Sequence, residues 1–505
     1  MTTQIDETDV IAHLDAFATL PDWLAAGMDA HLVHRELERQ VPELAQRRPE
    51  LVSCTPERLR AKGDEWIARY RLSVVDPDSE PRDVVLVGTL LQPSSERVAA
   101  PDGTSDVPFG QPGWRCWLEE LRLELRFEAE DEALPALASI VEAEAAAQLL
   151  QGVLKEAGYD NAVIATCEPH VVRYKPGSRC TVVVDLTYDS PVGDRKPPER
   201  VVLKTHQGDK GQTAWAAMTA LWDTPLARGE VVTLAEPLAF LPEDRILVQG
   251  PIAEACTLKE LARLALADGS VTALDGLREE LAKTGRALAA LHNSGAQYGR
   301  TATLDEELAE VSEVVDRLTQ SAPQLHEAAE PLLNRLSTLS ATIPAEASVP
   351  AHHDFRPAQV LLHEGKVGFI DFDGASMAEP ALDLGRFRAK LRDIGISVYA
   401  ASGESMVGPA FSDHLALLDE LCDHFLDAYS QHAAVSPDRV LLWEASDLMT
   451  AMLHAWTKVR LARIGPRLAV LQHFLGGVGF TELAESVPPA DVSRPGAQTP
   501  PEVTS

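Results

Sequence analysis

The chain has 505 residues, 45 % of them hydrophobic and 24 % charged, enough for more than one packed core and too apolar for wholesale disorder. Acidic residues outnumber basic ones 77 to 45, a net charge of −32, which repels a nucleic-acid backbone or an anionic membrane surface and leaves nucleic acid out of the expected partners. A general solubility bias produces the same acidity, so it does not by itself name a cationic ligand.

The start, MTTQIDETDV, lacks the basic and apolar parts of a signal peptide, and no run approaches the roughly 18 apolar residues of a membrane span. A cytoplasmic protein without a membrane partner is expected. Residues 22–41 space Trp23, Leu24, Met28, Leu32 and Leu37 as a helix does, and Pro42 closes the segment. Runs 65–75 and 83–91 read as a hairpin across DPDSEP, 92–113 as a loop, 121–127 as a half-buried strand and 136–157 as a helix.

The segments Cys54–Leu90 and Cys167–His206 share an order of features. Each has Cys-x-Pro, then a basic residue and glycine (Lys62-Gly63; Lys175, Gly177), then a β-rich run ending at Asp76 or Asp185, then VVLV at 84–87 or VVLK at 201–204. They read as a degenerate repeat of one hairpin unit, or as two generic hairpins alike by chance. Only the second keeps a lysine at its end. The six cysteines, without CxxC spacing, form neither a zinc site nor a disulfide framework.

Strands are expected at 232–240 and 245–249, and after Gly250-Pro251 the pattern turns helical: 257–268, 275–293, 303–340 in two pieces, 411–432 and 440–463, with a strand pair at 361–371. The last twenty residues, rich in Pro and Ser, read as a disordered tail.

HHDFRPAQV at 352–360 and IDFDG at 370–374 are the segments that suggest chemistry. Asp354 and Asp371 flank a short hairpin that aims both carboxylates at one place. Phosphoryl transfer needs one carboxylate for the attacking hydroxyl, another for Mg²⁺, and a cation near the transferring group.

These segments resemble the catalytic and metal loops of the aminoglycoside phosphotransferase family, whose pattern is His-x-Asp, four residues, Asn, then a strand ending in Ile-Asp-Phe-Asp. The resemblance implies a bilobal protein-kinase-like α+β fold, with a β-rich N-lobe, a helical C-lobe and an extra N-terminal α+β domain. The implied divisions are 1–135, 136–250, 251–485 and a tail at 486–505. It implies ATP, or another nucleoside triphosphate, and Mg²⁺, with a small-molecule hydroxyl as acceptor. Asp354 would be the base, with His352 and Arg356 beside it. Asp371 would hold metal, joined by Asp373 and by Gln359, which stands where the family has asparagine. Lys204 would reach the α- and β-phosphates, main-chain N–H groups of Gly177 and Ser178 would meet phosphate, and Gln249 and Ile252 would meet adenine. Asp383 would brace the catalytic loop, and His292 reads as a packing residue. His353 reads equally as an acceptor contact or a packing group.

Relatives carry a glutamate that pairs with the lysine; here Gln212 is the nearest polar residue on the following helix. Gln212 and Gln359 together motivate an alternative, a nucleotide-binding scaffold protein. Asp305, Glu306, Glu307 and Glu310 either attract amine acceptors or form a solvated helix face. Aminoglycoside, amino alcohol and sugar acceptors all remain open.

Overall fold

The computed structural model describes residues 7–486 except 64, 78, 94–106, 112, 129–133, 160, 176 and 190–194. The expected tail and most of the expected loop at 92–113 lie outside the described residues. The fold is α+β, with two five-stranded antiparallel sheets in its N-terminal part and a mainly helical lobe after them.

The first sheet consists of β1 (Glu50–Lys62), β2 (Glu65–Val75), β3 (Arg82–Leu90), β4 (Arg115–Leu118) and β5 (Leu123–Phe127), in the antiparallel order β1-β2-β3-β5-β4. Trp66, Ala68, Tyr70, Leu72 and Val74 along β2 are all buried, the period of two that a half-buried strand requires. The expected helix at 22–41 is broken into Asp22–Ala26 and Ala30–Gln40, because the Asp29 carboxylate accepts from His31 and Leu32 N–H at 2.9 and 3.0 Å and restarts it.

The second sheet begins with β6 (Ile164–Lys175), β7 (Arg179–Tyr188) and β8 (Arg200–His206). After the two-residue β9 (Thr233–Leu234) come β10 (Pro237–Leu241) and β11 (Ile246–Gln249), and the sheet order is β10-β11-β8-β7-β6. The strand expected over 232–240 is therefore split. Its first part leaves this sheet to pair in parallel with β15 (Lys366–Phe369), after β12 (Cys256–Thr257), β13 (Val349–Ala351) and β14 (Val360–His363).

Each of the two alike segments forms a three-stranded meander rather than a hairpin alone. β1 and β6 carry the Cys-x-Pro starts, with Cys54 facing Leu72 and Cys167 facing Leu186. Gly63 and Gly177 turn the chain with φ of 59° and 67°, a region that a side chain rarely adopts.

The cores differ. The buried face of the first sheet belongs to the same hydrophobic cluster as the helical lobe, whereas β7, β8 and β11 pack against helix Ala143–Glu156 in a separate cluster. Polar ties reinforce the first arrangement: Trp66 Nε1 donates to Ser321 Oγ at 3.1 Å and Trp456 Nε1 to the Phe17 carbonyl at 2.8 Å.

In the helical lobe the expected segments recur as Leu258–Asp268, Val271–His292, Leu304–Thr319, Gln324–Thr342, Pro409–Ser430 and Pro437–Thr457. Helices Leu461–Leu475 and Val478–Ser486 were not expected as separate elements, nor was Ala381–Ser402. Residues around its whole circumference, including Asp383, Phe387, Arg388 and Arg392, are buried, which erases the one-sided apolar pattern that reveals a helix in sequence. No described helix is long and apolar enough to cross a membrane.

Candidate active site

Asp354 lies in the loop between β13 and β14, and Asp371 follows β15 directly. Two non-glycine residues of this region have left-handed backbones, His353 at φ 69° and Asp371 at φ 74°, a cost that surrounding bonds must hold in place. Asp383 supplies them: its carboxylate accepts from His352 N–H at 2.7 Å and His353 N–H at 2.8 Å. Burial would raise the Asp383 carboxyl, but His292 and His352 outweigh it and hold it below the usual range. His292 packs between Asp383 Oδ2, 3.2 Å away, and Tyr429 Oη, 2.9 Å away, well inside the lobe.

His352, expected beside the base, is fully buried. Its Nε2–H donates to the Ile370 carbonyl at 2.9 Å, and its ring packs on Phe372 with centroids 4.6 Å apart. It joins the Asp354 loop to the Asp371 turn.

Lys204 comes into the site from β8, where alternation turns it and His206 to the same side. Lys204 Nζ donates to Asp371 Oδ1 at 3.1 Å, and both side chains are about nine-tenths buried. Burial would raise the Asp371 carboxyl, yet Lys204 and Arg179 overcome it and hold it far below the carboxylate range. Gln212, the polar residue expected nearest the lysine, is exposed; the carboxylate that pairs with Lys204 is Asp371.

Two further residues converge here that the motif does not name. Arg179 Nη1 stands 3.7 Å from both Asp371 Oδ2 and Asp373 Oδ2, and His206 Nε2 stands 2.8 Å from Asp373 Oδ2. Their signal in the sequence is strand alternation: His206 is two residues beyond Lys204, and Arg179 opens the strand paired with β8. Gln359 reaches the centre as well, with Nε2 donating to Asp371 Oδ2 at 3.0 Å and lying 3.5 Å from Asp354 Oδ2. Arg356 Nη2 pairs with Asp354 Oδ2 at 3.0 Å, in the most open part of the cluster.

The turn before β7 is formed by Gly177 and Ser178. The Ser178 N–H, expected to face phosphate, donates to the Lys175 carbonyl at 3.0 Å and closes the turn. Gln249 is buried in register with Val202, and Ile252 packs on Gly368, where a Cβ would lie 2.8 Å from its Cγ2. That contact ties the segment after β11 to the strand leading into Asp371.

Among the described residues no group of three or more His, Cys, Asp and Glu side chains is arranged to hold a metal by itself. The residues do fit a cation shared with phosphates, which takes one or two protein carboxylates. Asp373 Oδ1 is buried without a hydrogen-bond partner, while Oδ2 faces His206 and Arg179, an arrangement that leaves lone pairs for an ion.

The acidic helix start is not simply a solvated face. Asp305 accepts from Ser340 and Glu306 accepts from the N–H of the capping Thr303, while Glu307 turns inward to Arg386 Nη2 at 3.0 Å and His353 Nε2 at 3.1 Å. Burial would raise Glu307, but His353 and Arg386 bring it down to about 2. Arg386 in turn donates to the His353 carbonyl and to Asp447.

Residues 202–440, just under half of the chain, match the model of the phosphotransferase enzyme family. The fold class and the enzyme class expected from the motifs, a protein-kinase-like α+β fold and a phosphotransferase with a hydroxyl acceptor, stand with this phosphotransferase match. Among curated proteins nothing matches the chain. Among solved structures, a glucosamine kinase aligns at 16 % identity and TM-score 0.46, over 93 % of this chain and 100 % of its own. A choline/ethanolamine kinase family protein from Mesorhizobium loti aligns at 16 % and 0.42, over 66 % of this chain and 98 % of its own. A thermostable mutant of an aminoglycoside phosphotransferase aligns at 12 % and 0.40, over 66 % and 98 %.

Proposed function

We propose that the chain transfers the γ-phosphate of ATP, or of another nucleoside triphosphate, to a hydroxyl of a small molecule of the aminoglycoside, amino alcohol or sugar kind, in the cytoplasm. The observation that supports this most is the meeting of Lys204 and Asp371, 167 residues apart in the chain, at 3.1 Å next to the Asp354 loop.

In this proposal the Asp354 carboxylate, two-fifths exposed, accepts the proton of the acceptor hydroxyl as its oxygen attacks the γ-phosphorus. The bond from that phosphorus to the bridging oxygen breaks and the nucleoside diphosphate leaves. Lys204 and Arg179 exchange the Asp371 carboxylate for phosphate oxygens when the nucleotide enters, and Arg356 leaves Asp354 for the transferring group. Gly177 and Ser178 form the turn over the phosphates, and the segment from Gln249 to Ile252 meets the base. Mg²⁺ bound with the nucleotide would neutralise developing charge on the phosphates, and Asp371, Asp373 and the amide oxygen of Gln359 would hold it. The domain divisions at 135/136, 250/251 and 485/486 are part of the same proposal.

The scaffold alternative drew on Gln212 and Gln359. Gln359 reaches Asp371, and Asp371 takes up the lysine in place of Gln212, so no observation favours that alternative.

The test is nucleoside diphosphate release from Mg·ATP in the presence of a panel of hydroxylated amines and sugars. Asp354→Ala is expected to lose turnover by a factor of about 10²–10⁴ while still binding Mg·ATP. Unchanged turnover in that variant would remove Asp354 from the role of base.

A further inference from the structure

A cavity of about 250 Å³, whose lining includes none of Lys204, Asp354 and Asp371, lies between the turn that joins β1 to β2, the helix Leu304–Thr319 and the end of helix Pro437–Thr457. Its charged lining is Arg60, Arg317 and Lys458, with the Thr457 and Ser321 side chains and Trp66 beside them. Among the described residues that line it there is no carboxylate.

The cations around it are also poorly compensated. Among the described residues, Arg58, Arg60, Lys175 and Lys458 pair with no carboxylate within 4.0 Å, and Arg317 only with exposed Glu313 at 3.9 Å. The Nε atoms of Arg58 and Arg60 are buried without a hydrogen-bond partner, an arrangement that costs stability unless something else satisfies it. Surrounding protein and then the charges of Arg460 and Lys175 push the Lys458 ammonium down to about 8, although the side chain opens to solvent at the cavity mouth. Burial and then Arg60, Arg179 and Arg58 push Lys175 down in the same way. Like charges are thus held together against their own repulsion, in a concave site that concentrates their field. His454, also at the lining, is brought down to about 4 by burial and by Lys458 and adds no positive charge near neutrality.

The placement is specific to the meanders. Arg60 belongs to the strand that opens the first meander and Lys175 to the strand that opens the second, each just before its glycine turn. Arg60 acts on Lys175 more than any other charge, which puts these two residues, one from each meander, within electrostatic reach of each other.

We propose that this cavity binds a phosphate group, free or carried by a small molecule, held by Arg60, Arg317 and Lys458 with Lys175 beside them. A dianion offsets several cations at once, and guanidinium groups match phosphate oxygens in pairs. Hydroxyls of Thr457 and Ser321 are within the same lining to donate to remaining oxygens. Occupancy would draw the first sheet, the β6–β7 turn and the helical lobe together around one anion.

Thermal unfolding of the full chain, with inorganic phosphate titrated against sodium chloride at constant ionic strength, tests this. Phosphate is expected to raise the midpoint by about 3 °C near saturation. The rise should persist in Lys204→Met, which disables the nucleotide site, and in Lys458→Arg, and should be lost in both Lys458→Gln and Arg60→Gln. A set of sugar phosphates separates the sources: a response at tenfold lower concentration than inorganic phosphate assigns the group to a larger ligand, and an equal response assigns the free anion. No rise at 50 mM phosphate, a rise lost in Lys204→Met, or an undiminished rise in both Lys458→Gln and Arg60→Gln would overturn the proposal.

Discussion

Both arginines of β2 find their carboxylates within the N-terminal region: Arg69 pairs with Glu57 and Glu128, and Arg71 with Glu57 and Asp83. In the second sheet Lys204, Arg179 and His206 pair instead with Asp371 and Asp373, far along the chain. The first set of charges is satisfied by the local fold and has nothing to exchange. The second is satisfied only by carboxylates distant in the chain, and in the proposed function nucleotide phosphates take over its cations while a metal ion takes over the carboxylates. The cores follow the same division, since the first sheet shares its hydrophobic cluster with the helical lobe and the second has its own. One meander is thus built into the body of the protein, while the other faces a cleft.

The largest expected effect breaks this difference at its lysine. Lys204→Met should lower nucleoside diphosphate release from Mg·ATP by about 10²–10³, the scale of removing one preorganised charge from a developing oxyanion. Val87→Lys, which places a lysine at the end of the matching VVLV run, should leave release unchanged in the same assay, because the residue opposite it is Arg69 and no Asp371 stands there.

A smaller effect, on stability, concerns the catalytic loop. Glu307 titrates near 2 instead of its usual 4.5, so its stabilisation is complete above about pH 4.5 and fades as pH falls towards 2. Glu307→Gln should therefore lower stability at pH 7 by on the order of 2–4 kcal/mol, with the gap to the native chain closing near pH 2 in denaturant titrations.

The smallest sharpens the comparison of the sheets themselves. In the matching runs VVLVG and VVLKT, Gly88 stands where the second sheet has Thr205. A Cβ at Gly88 would meet the Glu124 carbonyl oxygen at 1.9 Å, because β5 crosses close to it. Gly88→Ala should cost about 1–3 kcal/mol of unfolding free energy, read from the denaturant midpoint.

The sequence made the candidate site segments legible because their polar residues lie close together in the chain: Asp354 with Arg356 and Gln359, and Asp371 with Asp373. It made the two meanders legible as related, through Cys-x-Pro, the basic residue and the glycine, but not as three strands. β6 is largely exposed along its length and lacks the alternation that marks β2 and β7. Helix Ala381–Ser402 escaped for the opposite reason, burial on all sides. Arg179 and His206 join the site only through strand pairing, which no single segment encodes. The hydrogen bond from His352 to Ile370 spans 18 residues and is likewise carried by no single segment. The inward turn of Glu307 depends on Arg386, 79 residues later.

The central claim is that Asp371 and Lys204 form a nucleotide site between the two lobes. Thermal unfolding of the native chain and of Asp371→Ala, each with and without Mg·ATP, tests it most directly, since a ligand bound only to the folded state raises the midpoint. The account expects a rise in the native chain that requires Mg²⁺ and is absent in Asp371→Ala. An equal rise in the variant, or none in the native chain at millimolar nucleotide, would contradict it.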